Sequence, residues 1–134
     1  MTAATDRSLE IAKRLIDCYN LKDFEGVREL LHAEMTFVHH ATMAFDCADD
    51  LVSLQQGVAR LFGDRQWTPH TSMSNGSTVV TQGTWTGTAD DDVPGRARKG
   101  QRMTMEFCSV FTFDDRHLLI RWEDYGAPVV DGAE

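Results

Sequence analysis

Apolar and polar residues alternate most regularly between Met103 and Tyr125, and the pattern there predicts two long strands joined by a tight turn. Met103, Met105, Phe107, Phe111 and Phe113 fall on one face of the first strand, and Thr104, Glu106, Cys108, Val110 and Thr112 on the other. Ser109 is the one polar residue on the apolar face. After the turn signal Asp114-Asp115-Arg116, the second strand is expected to carry Leu118, Ile120, Trp122 and Asp124 on one side. Leu119, Arg121, Glu123 and Tyr125 then take the other. Asp124 therefore follows apolar neighbours inward, where loss of hydration raises the pKa of a carboxyl group and suits it to carry protons near neutral pH.

Upstream, the period changes from element to element. Ile11, Ala12, Leu15, Ile16, Cys18 and Tyr19 recur at helical spacing over about Asp6 to Leu21, with Thr5 or Asp6 available as a cap. A short second helix is capped by Asp23 and buries Phe24, Val27, Leu30 and Leu31. Met35 to His40 switches to a period of two, so Phe37 and His39 point one way and Thr36, Val38 and His40 the other. Adjacent histidines in a strand cannot chelate one metal as neighbours. Their plain structural reading is a surface His40 and a His39 filling a half-polar pocket. Met43 to Asp46 reads as a loop or short strand lining the same cavity. From Ala48 to Phe62 the positions Leu51, Leu54, Gln55, Val58, Leu61 and Phe62 give a third helix closed by Gly63. Trp67 to Met73 is extended and edge-like because of Pro69. Asn75-Gly76 is a hairpin turn, and Ser77 to Thr88 is a strand in which Gly83 leaves room for a bulge or bend. Ala89 to Arg102 is an exposed loop or a lid at a pocket mouth.

Composition narrows the function. At 134 residues with 42% hydrophobic content, the chain fits a single domain, with a core over about 6–126 and a flexible tail over 127–134. A formal charge of −8 argues against nucleic-acid binding, and the cluster Arg96, Arg98, Lys99 and Arg102 is the one local exception. Cys18, Cys47 and Cys108 lack metal or redox spacing and read as reduced thiols. No export signal or membrane-spanning segment is evident, so a cytoplasmic location without membrane partners is expected. No phosphate loop, nucleophilic cysteine arrangement or metal spacing stands out, and neither a metal nor a cofactor is expected.

Helices in a block before strands in a block argue an α+β fold with a curved antiparallel sheet, coned around an interior too large for its side chains to fill. At this level the chain resembles the nuclear transport factor 2-like superfamily. Within it, the chain resembles the branch of SnoaL-type polyketide cyclases, limonene epoxide hydrolase and ketosteroid isomerase. The resemblance spans about Ser8 to Tyr125. It is carried by Tyr19-Asn20-Leu21-Lys22-Asp23-Phe24, Met35-Thr36-Phe37, Gly83-Thr84-Trp85-Thr86-Gly87-Thr88, and Val110-Phe111-Thr112-Phe113-Asp114-Asp115 leading into Arg121-Trp122-Glu123-Asp124-Tyr125. It implies a cone with three N-terminal helices and a homodimer paired through convex sheet faces, for which Val110 and Leu119 are the available residues. His39 falls where ketosteroid isomerases place their catalytic aspartate, Leu15 where they place the oxyanion tyrosine, and Ser109 where they place a second, protonated acid. All three differ, which argues against that mechanism. Asp124 matches the final-strand aspartate of limonene epoxide hydrolases, but Gly83-Thr84-Trp85 replaces their Arg-x-Asp strand pattern. The similarity to SnoaL-like cyclases implies a single pocket aspartate working without metal or cofactor.

The strongest constellation is Asp124 with His39 as the acid/base pair, and Tyr19, Trp85, Ser109, Phe37, Trp122 and Leu15 as the surrounding substrate-binding positions. The reaction class is proton transfer next to a carbonyl: cyclisation, isomerisation or dehydration of a small apolar, cyclic or polyketide-like molecule. The alternatives are a non-catalytic ligand-binding or dimerisation module and an epoxide hydrolase with an altered triad. Asp124 could also pair with a buried arginine, Tyr19 also reads as plain core, and His70 reads as surface.

Overall fold

The computed structural model describes residues 3–40 and 42–132, with side chains from Arg7 onward. Helix α1 (Ala3–Asn20) starts before the expected Asp6, and the expected caps Thr5 and Asp6 lie outside the described side chains. Its buried residues Ile11, Ala12, Leu15, Ile16 and Tyr19 sit three and four apart, which makes one continuous apolar stripe laid over the sheet. Helix α2 (Phe24–Leu30) opens where the Asp23 carboxylate accepts from the Gly26 N–H at 2.9 Å, satisfying one of the free donors of the first turn. Leu31, expected at the end of this helix, is instead the first residue of strand β1 (Leu31–His39). Strand β2 (Met43–Phe45) and helix α3 (Ala48–Leu61) follow, then β3 (Gln66–Asn75), β4 (Thr78–Thr88), β5 (Arg102–Phe113), β6 (Leu119–Tyr125) and the short β7 (Val129–Val130).

These strands form one sheet in the order β2-β1-β6-β5-β4-β3, with β7 added beside β5. The fold is α+β, as the sequence predicts, but the sheet is mixed: β1 runs parallel to β6, while the other pairs are antiparallel. The helices and the concave sheet face share one core. Each fully buried Leu, Val or Phe in it contributes about 1.5–3 kcal/mol of burial free energy. Residues 127–132, read from the sequence as a flexible tail, carry β7, which pairs Val130 with Met103 and Val129 with Thr104.

Irregularities in pairing account for most departures from the sequence pattern. In β6, Arg121 pairs with Thr112 and Leu119 with Phe113, so Ile120 is an extra residue. The bulge resets the alternation. Leu119 is therefore fully buried and Ile120 exposed, the reverse of the expected faces, and Leu119 cannot serve a dimer surface. Trp122 and Asp124, beyond the bulge, point inward as predicted. In β3 the extra residue is His70, between Pro69 opposite Gly83 and Thr71 opposite Gln82. Proline brings no N–H to the ladder. Across from it a Cβ on Gly83 would stand 2.7 Å from the Thr68 carbonyl oxygen, so only glycine permits this approach. The hairpin loop lies one residue later than Asn75-Gly76: Asn75 pairs with Thr78, and Gly76, at φ +64°, opens the two-residue turn Gly76-Ser77.

Candidate active site

Lateral register assembles the site. His39 on β1 pairs with Asp124 on β6, Asp124 with Ser109 on β5, Ser109 with Thr81 on β4, and Thr81 with Ser72 on β3. Residues in register share a face, so these residues form a polar row across the concave side. The neighbouring row, Phe37, Trp122, Phe111 and Val79, is apolar. Phe37 and Trp122 meet edge to face with ring centroids 5.5 Å apart, and Phe111 lies tilted against Trp122 at 5.2 Å. The polar row thus sits against an aromatic wall.

Asp124 is 6% exposed. Its Oδ1 accepts from the Ser109 hydroxyl at 2.5 Å and from the Trp122 indole N–H at 2.7 Å. Among the described residues, no arginine is paired with it. Burial pushes its carboxyl group up from 3.8 to about 6, against the opposing effects of the Ser109 and Trp122 hydrogen bonds and the charge of His40. With both bonds on Oδ1, Oδ2 is left to the cavity that Asp124 lines.

That cavity has a volume of about 160 Å³ and lies between the sheet, α1 and α3. Of the expected site residues, Asp124, His39, Tyr19, Trp85, Phe37 and Trp122 all line it. Ser109 and Leu15 do not. Ser109 is wholly buried behind Asp124 and acts on the carboxyl group, while Leu15 is packed in the core under α1. Sequence periodicity chose the right face for both but carried no information about depth.

The His39 ring is half-buried, and desolvation first, with the nearby Arg96 and His40 charges adding to it, lowers its pKa. It stays neutral at pH 7. Its Nδ1 lies 2.9 Å from the Thr42 hydroxyl, which also reaches the His39 carbonyl oxygen at 3.0 Å. The hydroxyl has one proton and the carbonyl can only accept it. Both contacts are satisfied together when Nδ1 carries the ring hydrogen, which leaves Nε2 as an acceptor. His40, on the other face, pairs with Glu123 at 3.3 Å and stacks on Tyr125. His70 is exposed and bonds the Thr84 hydroxyl, so it is surface as expected.

Tyr19 holds the opposite wall. Its hydroxyl accepts the Trp85 indole N–H at 2.8 Å, leaving its own proton available to the cavity. Behind its ring lies a residue the sequence did not suggest. Arg65, 2% exposed, places its guanidinium 3.8 Å from the ring centroid and donates through Nη1 to the Tyr19 carbonyl at 2.8 Å. Among the described residues, its Nε and Nη2 have no hydrogen-bond partner. Arg65 falls between the helix closed by Gly63 and the extended segment from Trp67, where no periodicity marks a buried cation. Arg65→Ala is expected to lower stability by about 2 kcal/mol, because it removes the ring stack and the stronger of two hydrogen bonds to the Tyr19 carbonyl, which keeps only the Lys22 N–H at 3.1 Å. Urea unfolding would show this, and a variant as stable as the parent would rule out a structural role for the stack. Gln55, the polar member of the α3 stripe, is buried on the cavity wall; that polar residue on an apolar face was the available signal. Among the described residues, no three His, Cys, Asp or Glu side chains converge in a metal-binding group.

A curved α+β cone with one carboxyl group buried in an aromatic cavity defines the class, and the comparisons give the family. The SnoaL-like domain model matches residues 12–122, and the chain belongs to that family. No curated protein matches the sequence significantly. Among solved structures, a candidate SnoaL-like polyketide cyclase from Jannaschia sp. CCS1 is similar at a TM-score of 0.83 and 19% identity, over 94% of this chain and 89% of that one. The LEH-like epoxide hydrolase of M. tuberculosis is similar at 0.76 and 17%, over 92% and 84%. A candidate ketosteroid isomerase from Kribbella flavida is similar at 0.70 and 14%, over 97% and 84%. At these identities the likeness establishes the nuclear transport factor 2-like cone. Among the described residues, no helix is long and apolar enough to cross a membrane.

Proposed function

We propose that this protein is a cofactor-independent enzyme that moves a proton next to a carbonyl group in a small, apolar, cyclic or polyketide-like molecule. The observation that carries the reading is the Asp124 carboxyl group, 6% exposed, with both its hydrogen bonds on Oδ1, without a cationic partner among the described residues, and lining an aromatic cavity. A buried carboxylate is expensive to keep in a core, and such groups cluster where proton transfer is needed. Above pH 6 Asp124 is mainly ionised and takes the proton. The Tyr19 hydroxyl donates to the substrate oxygen on which charge develops, and His39, neutral with Nε2 accepting, orients a substrate hydroxyl or relays the proton onward. Cyclisation, isomerisation and dehydration all contain this step. A homodimer formed through the convex face, with Val110 on it, belongs to the same reading.

The test is solvent exchange: 2-tetralone in D₂O, followed by NMR, should lose its α protons faster with the protein than in buffer alone. His39→Gln is expected to slow that exchange about tenfold, the effect of losing one hydrogen-bonding partner in the transition state. If 2-tetralone binds and the parent protein gives no exchange above buffer, the cone is a ligand-binding module.

A further inference from the structure

The basic cluster within residues 96–102 stands out against a net charge of −8 and has no part in the mechanism above. The structure sorts its members. Arg102 pairs with Asp131 at 3.1 Å, whereas the guanidinium of Arg96 has neither an ion pair nor a hydrogen bond among the described residues. Arg96 is exposed yet also lines the cavity, so it stands at the opening. It is the one arginine or lysine in the lining, where the other ionisable groups are Asp124, His39 and Tyr19.

The segment that carries it is pinned. Ala89 N–H donates to the Gln101 carbonyl at 2.9 Å and Gly100 N–H to the Ala89 carbonyl at 2.8 Å, which closes the base. Val93 and Ala97 exchange bonds at 2.7 and 3.0 Å, and Ala97 is buried, which anchors the tip. Three aspartates lie in the same segment, and none neutralises Arg96. Asp90 accepts from Gly63 N–H at 2.7 Å, Asp91 from Asp92 N–H at 2.8 Å, and Asp92 from Lys99 N–H at 2.9 Å. The acids hold the loop's backbone, and the loop holds Arg96 over the opening. Its charge reaches His39 and disfavours the imidazolium form.

A surface carrying excess negative charge repels anions, and a planar guanidinium is suited to recognise them by paired hydrogen bonds. We propose that the cavity takes a ring-bearing small molecule with an anionic group, a carboxylate or an ionised phenol, seated on Arg96 while the ring enters among the aromatic walls. The proposal rests on the reading of the cavity as a small-molecule site. It adds the charge of the substrate and the end that enters last.

Two probes of matched shape test it: 2-naphthoate and its neutral methyl ester, with binding followed by quenching of tryptophan fluorescence. The parent protein should bind naphthoate about tenfold more tightly than the ester at low salt, with the preference shrinking as salt rises. Arg96→Gln should remove the preference and leave ester affinity within about twofold, and Arg98→Gln should leave the preference intact. Equal affinities in the parent, a preference that survives Arg96→Gln, or no binding of either probe would overturn the proposal. Because the readout is binding, failure here with α-proton exchange intact would leave the acid/base reading standing. Loss of exchange with the naphthoate preference intact would do the reverse.

Discussion

Asp124→Asn is expected to slow α-proton exchange by about 10³-fold, within the range for loss of a positioned general base. The substitution is close to isosteric, and the amide oxygen can still accept from Ser109 and Trp122 as Oδ1 does now. What disappears is the ability to take a proton at Oδ2. Ligand affinity should therefore stay within about twofold while turnover falls, and that split marks a group acting in the transition state. The pH profile gives a second readout. A base with its pKa raised to about 6 must be ionised to act, so the parent's rate should rise through that pH and level off above it. His39, held below its ordinary value, is already neutral over the plateau. The residual rate of the Asn variant should lack this limb. Unchanged exchange in the variant would mean that the buried carboxyl group is not the base.

The sequence exposes the inward faces of most elements because burial is written in period: α1, β4 and β5 carry their apolar residues where the structure buries them, while in the expected α3 stripe Leu51, Gln55 and Phe62 are buried but Leu61 is 38% exposed. Asp124 was readable for that reason. The Ile120 bulge was not, because an extra residue in a pair depends on the partner strand, and the alternation from Leu118 onward looks unbroken. The polar row through His39, Asp124, Ser109, Thr81 and Ser72 was invisible for the same reason. Each strand shows one polar residue on its face, and register alone aligns them. Depth was the other missing quantity: Ser109 and Leu15 lie on the correct face and behind the cavity. Arg65 and Arg96 were hardest, since charged residues in turns carry no period, and only the folded chain puts one beneath Tyr19 and the other at the opening.

The same Asp124→Asn variant is expected to be more stable than the parent at neutral pH, by about 3 kcal/mol at most. A carboxyl group at 3.8 in the unfolded chain and about 6 in the folded one favours the neutral form in the fold, and each unit of difference corresponds to about 1.4 kcal/mol. Below about pH 4 the group is protonated in both states, and nothing is lost. Between 4 and 6 the unfolded chain releases its proton while the folded one keeps it, so stability falls as pH rises; above 6 the full penalty is present. Asparagine has no charge to bury. The stability difference between the two proteins should therefore be near its minimum at pH 4, grow through pH 6 and then stay constant, while contributions from other carboxylates cancel. Urea unfolding of both proteins from pH 4 to 8 measures it. A difference independent of pH would mean that the folded protein does not hold the carboxyl group near 6, and the pH limb of the rate would fall with it. A difference that grows as described, beside lost turnover and retained affinity, separates function from structure at this residue. A group that weakens the fold at neutral pH, set beside an aromatic wall, is what the proposed proton transfer would need.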